Sequence, residues 1–209
     1  NAYIISVLGY EIRKVETADT EPTIRGPKDA FVETLNINVG LIRKRIQSPN
    51  LVAESIKVGK VTQTRVFFMY IRGICPNEMV AEVRRRVEKI DTDGILDSKY
   101  IEEYLQDNPY TYFPQMGVTE RPDRACASLI EGRALLMTDN TPMAIVAPVD
   151  VFSFLHSAED YFNYYSFATL LRLLRYLGAF IALFLPSLYI ALISFHQEMI
   201  PTDLLISVI

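Results

Sequence analysis

Residues 176–195 read YLGAFIALFLPSLYIALISF, twenty residues without an Asp, Glu, Lys or Arg. In a helix, twenty residues rise about 30 Å, which is the hydrocarbon thickness of a bilayer. A soluble core helix rarely needs so long an uncharged span, and the sequence predicts a transmembrane helix here. Pro186, near its centre, has no N–H to offer the carbonyl of Ala182, so a kink is expected there. A carbonyl freed inside lipid needs a partner, which favours a bundle of helices over a solitary anchor. Arg172 and Arg175 precede the run and no Lys or Arg follows it through Ile209. That bias places the N-terminal end of the helix, and the chain before it, on the cytoplasmic side.

The stretch before the run, residues 158–175, sets Tyr161, Phe162, Tyr164, Tyr165 and Phe167 beside Arg172 and Arg175. Aromatic rings next to cations suit the headgroup layer, so an amphipathic juxtamembrane helix is expected. An aromatic core helix is the plainer alternative. Past the run, Glu198 and Pro201 open a further membrane region over residues 196–209. Glu198 and Asp203 are candidates to line an ion path, although an interfacial turn accounts for them as well.

Charge is dense from Glu11 to Arg133 and nearly absent after Arg175. The earlier region alternates strand-like and helix-like patterns. Residues 2–8 are apolar and β-branched, a strand signal. Gly26 and Pro27 suit the start of a helix over residues 26–46, with Phe31, Leu35, Val39, Ile42 and Ile46 on one stripe. Beyond Gly59, TRVFFMYIRGI reads as a buried strand. A helix opened by Pro76 follows, facing inward through Val80, Val83, Val87 and Ile90. Asp97 or Ser98 caps a short helix to about Gln106, and another runs from Pro122 to Gly132. Two strands joined at residues 139–142 complete the region. The expected fold is therefore α/β, with a first lobe over residues 1–58 and a second over 59–157. An echo between NAYIISV and PMAIVAPV hints that the lobes are related. Asn1 opens inside one apolar run and Ile209 closes inside another, so the sequence reads as a piece of a longer chain with no signal peptide in view.

Several chemistries find no support. The net charge of −4 and pI of about 5.3 argue against a nucleic-acid-binding face. Cys75 and Cys126 are far apart and in no metal-ligand or redox spacing, and His156 and His196 have no companion ligand. No nucleophile elbow, phosphate loop or dinucleotide fingerprint occurs. Registering Asp91, Asp93 and Gly94 on a calcium loop puts Lys89 and Tyr100 where oxygen donors belong, so that reading fails. Arg25 and Lys28, at the expected helix start, form a candidate anion site, with a solvated helix start as the alternative. Arg84, Arg85 and Arg86 are matched by Glu82 and Glu88 at helical spacing, as surface ion pairs. Neither a catalytic residue nor a cofactor is expected.

The stretches RGPKDAFVETLNINVGLIRKRI, EVRRRVEKIDTDGILDSKYIEEYLQDNPY, FPQMGVTERPDR, EGRALLMTDNTPMAIVAPV, SAEDYFNYYSFATLLRLLRYL and LPSLYIALISFHQEMIPTDLLISVI occur in this order. Together they resemble the A subunits of spore germinant receptors, the GerA family. The resemblance implies a cytosolic region of two α/β subdomains followed by a membrane bundle. It implies partners: a transporter-like B subunit that senses nutrient and a lipoprotein C subunit, in the inner membrane of the spore. It also implies a homo-oligomer, plausibly a pentamer, acting as a nutrient-gated ion channel. A paralogous SpoVAF-like accessory subunit of the dipicolinate-release apparatus is the nearest alternative. A membrane-anchored small-molecule-binding domain or enzyme is a third, and it predicts a pocket of convergent polar groups. Arg172, Arg175, Pro186, Glu198 and Pro201 are the candidates for membrane placement and gating.

Overall fold

The computed structural model describes residues 17–18, 20–23, 26–108, 110–111, 113–155, 160, 162 and 164–195. The chain divides into two compact units, Asn1–Asp150 and Val151–Ile209. The strand expected over residues 2–8 lies outside the described residues.

The first unit is mixed α/β. Its elements run α1 (Leu35–Arg45), β1 (Leu51–Val58), β2 (Thr64–Ile71), α2 (Asn77–Glu88), α3 (Ser98–Leu105), β3 (Gly117–Thr119), α4 (Pro122–Ile130), β4 (Ala134–Thr138) and β5 (Ala144–Ala147). The five strands form one sheet in the order β1-β2-β4-β5-β3, and every neighbouring pair is antiparallel. Strand side chains alternate between faces. In β2 this sends Val66, Phe68 and Tyr70 to one side, with Leu136, Ile145 and the inward stripes of α2 and α3. Met69 and Ile71 go to the other, with Leu135, Met137, Leu35, Ile42 and Leu129. A sheet covered on both faces needs central strand segments apolar at successive positions, which is why residues 66–71 of β2 and 134–137 of β4 are unbroken apolar runs.

Most of the expected elements are present, with α2 preceded by Pro76, α3 capped by Asp97 and α4 opened by Pro122. The Asp97 carboxylate accepts from the backbone N–H of Lys99 at 2.8 Å. Two boundaries differ. The helix expected from residue 26 begins at Leu35. The residues before it are pinned in extended form: Asp29 bridges Thr17, the Phe31 N–H donates to the Glu120 carbonyl at 2.8 Å, and the Asn38 amide grips both backbone groups of Val32. The lobe boundary expected between residues 58 and 59 falls at the mouth of the β1–β2 hairpin, whose strands pair from Leu51↔Ile71 to Val58↔Thr64. The sheet is continuous across it. At that turn Gly59 has φ +91°, and a Cβ there would lie 2.6 Å from Thr62 Oγ1, so a side chain meets both strain and a clash.

The expected ion pairs of α2 are partly redrawn. Arg85 and Arg86 hold Glu82, and Arg86 also reaches Asp107. Arg84 leaves Glu88 and forks onto Glu54 of β1 at 3.0 and 2.7 Å, where the Tyr70 hydroxyl donates to the same carboxylate at 2.8 Å. A bidentate pair on a half-buried carboxylate outcompetes a single exposed contact along the helix. Arg84 holds the Glu54 carboxyl below the usual carboxylate range, while burial, reinforced by Glu54, raises the Tyr70 phenol.

In the second unit a 3-10 turn, Val151–Leu155, precedes α5, Tyr165–Phe195. Helix α5 begins at Tyr165, inside the segment expected as a juxtamembrane helix over residues 158–175, and runs on through the whole expected transmembrane segment, with Pro186 inside it.

Two consequences are measurable. Phe68 is fully buried at the centre of one sheet face, so Phe68→Ala should cost about 3–5 kcal/mol in unfolding free energy, read by denaturation of the detergent-solubilised chain. Glu54 has a depressed folded-state pKa, so its contribution is present above the ordinary carboxylate value of 4.5 and lost as pH falls through the folded value. The stability gap between the natural chain and Glu54→Gln should therefore be largest near neutrality and close in acid. A gap that widens with acidification contradicts the pairing.

Candidate functional site

Three places hold polar or charged groups in unusual surroundings. The first is Arg121, which is 1% exposed at the start of α4. Its Nε donates to Asp123 at 3.1 Å and its Nη1 to the Glu21 carbonyl at 3.1 Å and Thr23 Oγ1 at 2.7 Å. Its Nη2 donates to the Pro27 carbonyl at 3.1 Å and Asp123 at 2.7 Å. A guanidinium has five N–H donors, and these five acceptors use them all. Around it, Thr119 donates to Glu21 at 2.6 Å, Arg124 pairs with the same carboxylate, and Glu120 accepts from the backbone N–H groups of Thr20 and Glu21. Residues TERPDR thus staple residues 20–23 and 27–31 to the sheet.

The second place is a cavity of about 200 Å³ beside that staple, lined by Thr17, Glu21, Thr23, Lys28 and Arg121. Lys28 was expected at a helix N-terminus, but α1 starts seven residues later, so the helix dipole is not available to an anion there. Arg121 brings no spare donor. Arg25 lies outside the described residues.

The third place is the foot of α5. Arg172 and Arg175 lie three residues apart, hence on one face of the helix. Both turn to Asp160, whose side chain is only 2% exposed. Arg175 donates to Asp160 and to the Leu155 carbonyl. Arg172 approaches the other carboxylate oxygen with Nε at 3.6 Å, an ion pair too long for a hydrogen bond. A buried carboxylate is tolerable only with such partners. Phe152 meets Tyr176 edge to face at 5.9 Å, fixing the 3-10 turn beside the same helix segment. Phe152, Phe154, Tyr164, Tyr165 and Phe167 are exposed.

Beyond this foot, α5 is long and apolar enough to cross a membrane: its most apolar 18 residues have a mean hydropathy of 2.1, and none of that window is buried. Pro186 removes the N–H that would reach Ala182, and the Ser187 hydroxyl donates to the Phe184 carbonyl at 2.8 Å. Glu198 and Pro201 lie outside the described residues.

The described residues contain no group of three His, Cys, Asp or Glu side chains that could hold a metal ion. Burial raises the Cys75 thiol and pushes Cys126 up to about 12, which keeps both protonated and poorly nucleophilic. Sequence reasoning missed Asp160 and Arg121. An Asp twelve residues before an Arg follows no helical or strand period, so no pattern in the sequence pairs them. Arg121 carries one available clue, the carboxylate two positions on, but nothing in the sequence marks that pair as buried.

The chain matches the family described as Bacillus/Clostridium GerA spore germination protein over residues 1–209. It is 45% identical over 205 residues to Spore germination protein KA of Bacillus subtilis, covering 98% of this chain and 38% of that protein. It is 36% identical over 187 residues to Stage V sporulation protein AF of the same organism, covering 88% of this chain and 38% of that protein. The chain thus spans about two fifths of the length of these relatives. Among solved structures it is similar to the N-terminal domain of the A subunit of the Bacillus megaterium spore germinant receptor GerK3, with 42% identity and a TM-score of 0.48, covering 58% of this chain and 96% of that one. With a match that runs the whole length of the sequence, the chain belongs to the GerA family of spore germination proteins.

Proposed function

We propose that this chain is part of an A subunit of a nutrient-responsive germinant receptor, acting by conformational coupling rather than by catalysis. The observation that carries the proposal is α5: in a GerA-family chain, a 31-residue helix with an uncovered apolar window follows a folded mixed α/β unit. On this reading α5 spans the inner membrane of the spore, with the first unit on the cytoplasmic side. The positive bias at its N-terminal end supports that orientation, since Arg172 and Arg175 stand there and no Lys or Arg occurs over residues 176–209. A transporter-like B subunit senses the nutrient and a lipoprotein C subunit completes the complex. Nutrient binding to the B subunit shifts the packing of several copies of the A subunit, and an ion path opens between them. Pro186 makes α5 bendable at the point where the Ala182 carbonyl has no helical partner.

Higher identity to Spore germination protein KA than to Stage V sporulation protein AF supports the receptor over the accessory-subunit reading. A membrane-anchored enzyme has less behind it, because both buried thiols are protonated and the family is one of germination proteins.

The test uses spores carrying the full-length protein with all receptor subunits. Leu183→Arg places a cation near the middle of the spanning segment, at a cost of about 2.5–3.5 kcal/mol for insertion. Nutrient-triggered ion release should be lost, while Leu183→Ile should behave as the natural protein. Pro186→Ala should leave the amount of complex unchanged and slow the release several-fold. Normal release with Leu183→Arg contradicts the proposal.

A further inference from the structure

We infer that Arg172 is a contact site for the phosphate of an anionic lipid headgroup, presented by an internal latch formed by Asp160 and Arg175. The inference rests on the reading that α5 crosses the membrane.

The two arginines have different surroundings. Arg175 is occupied, donating from Nη1 to the Leu155 carbonyl and from Nη2 to Asp160. Arg172 is 37% exposed at its side chain: its Nε is buried and faces Asp160 at 3.6 Å, while its two Nη groups make no hydrogen bond among the described residues. One buried carboxylate faces both guanidinium groups, and it hydrogen-bonds Arg175 while the pair with Arg172 is too long for a hydrogen bond.

Depth along the helix separates them again. Counting back from Phe195 at about 1.5 Å per residue, Arg175 lies about 30 Å away, at the edge of the hydrocarbon. A cation at that edge needs an internal counter-ion, and it has one in Asp160. Arg172 lies about 35 Å from Phe195, one layer further out, among the headgroups. Tyr164, Tyr165 and Phe167 are exposed nearby in sequence, as aromatic side chains at a membrane interface are. A guanidinium with free donors matches a phosphodiester in a two-point fork, which a lysine at the same place does not reproduce. Asp160 is then a positioning residue. Its carboxylate hydrogen-bonds Arg175 and faces the Nε edge of Arg172, which leaves the Nη edge of Arg172 for an outside anion.

The experiment measures thermal unfolding of the full-length protein in phosphatidylcholine vesicles containing a rising fraction of phosphatidylglycerol. A lipid that binds only the folded state raises the midpoint as its concentration grows. The natural protein should gain a few degrees, Arg172→Gln should show a flatter dependence, and Arg172→Lys should fall between. Asp160→Asn should have a lower midpoint in pure phosphatidylcholine and a steeper dependence on phosphatidylglycerol, because it frees a cation. A residue with a merely structural role would not move the two slopes in opposite directions. Equal slopes for the natural protein and Arg172→Gln, or a slope for Asp160→Asn no steeper than natural, overturn the inference. Should Arg172→Gln fail to fold, the natural protein and Asp160→Asn decide. Raising salt from about 0.01 M to about 1 M shortens the screening length from about 30 Å to about 3 Å and should erase the dependence in both. A dependence that survives high salt overturns the inference too. Release of the natural protein from vesicles by alkaline carbonate defeats the spanning reading and this one with it. Retention with equal slopes defeats this one alone.

Discussion

An apolar helical surface that protein does not cover must be covered by something else. Helix α5 presents Leu177, Phe180, Ile181, Leu183, Leu185, Leu188 and Ile190 to its surroundings, all roughly half exposed or more. Its backbone hydrogen bonds are satisfied internally except where Pro186 interrupts them, which is the condition for crossing hydrocarbon. Water would penalise so large an uncovered surface in a soluble chain. Lipid, or other helices within it, relieves that penalty. The aromatic collar and the clustered arginines at one end of the helix follow the same division between oily and polar surroundings.

The first unit solves a different problem with the same physics. A sheet buried on both faces has its apolar residues at successive positions of the central strands, and two helices cover each side. The segment before α1 is held at its end by buried Ala30, Phe31 and Val32. Ahead of them it is secured by polar groups, with Arg121 at the centre and every donor of its guanidinium matched. A buried charge held this way contributes specificity of placement more than net stability, since its desolvation offsets much of its attraction. The same economy of partners recurs at Asp160, where a buried carboxylate is balanced by cations from the helix it faces.

How far the sequence could be read follows from which forces leave a periodic trace. The runs of β2 and β4, and the three- and four-residue spacing of α2, announce burial directly, and the structure places them accordingly. Strand β1 carries Glu54 and Lys57 among its apolar residues and stands at the sheet edge, so its pattern is diluted and only its partner β2 reveals it. The start of α1 was misplaced because Gly26 and Pro27 carry a helix-start signal that tertiary bonds to Glu120 and Asn38 override. For the candidate site, the long apolar helix was legible because length and composition show directly in the sequence. Asp160 was not, because ion pairing between residues twelve and fifteen apart has no period.

The central proposal is that α5 threads a membrane with the folded α/β unit on its cytoplasmic side. The most direct measurement is protease accessibility of the full-length protein in membrane vesicles of known orientation, read with an antibody to the α/β unit. Inside-out vesicles should expose the unit to cleavage, and sealed right-side-out vesicles should protect it until detergent is added. Cleavage in sealed right-side-out vesicles, or recovery of the intact protein in the soluble fraction, would contradict the account.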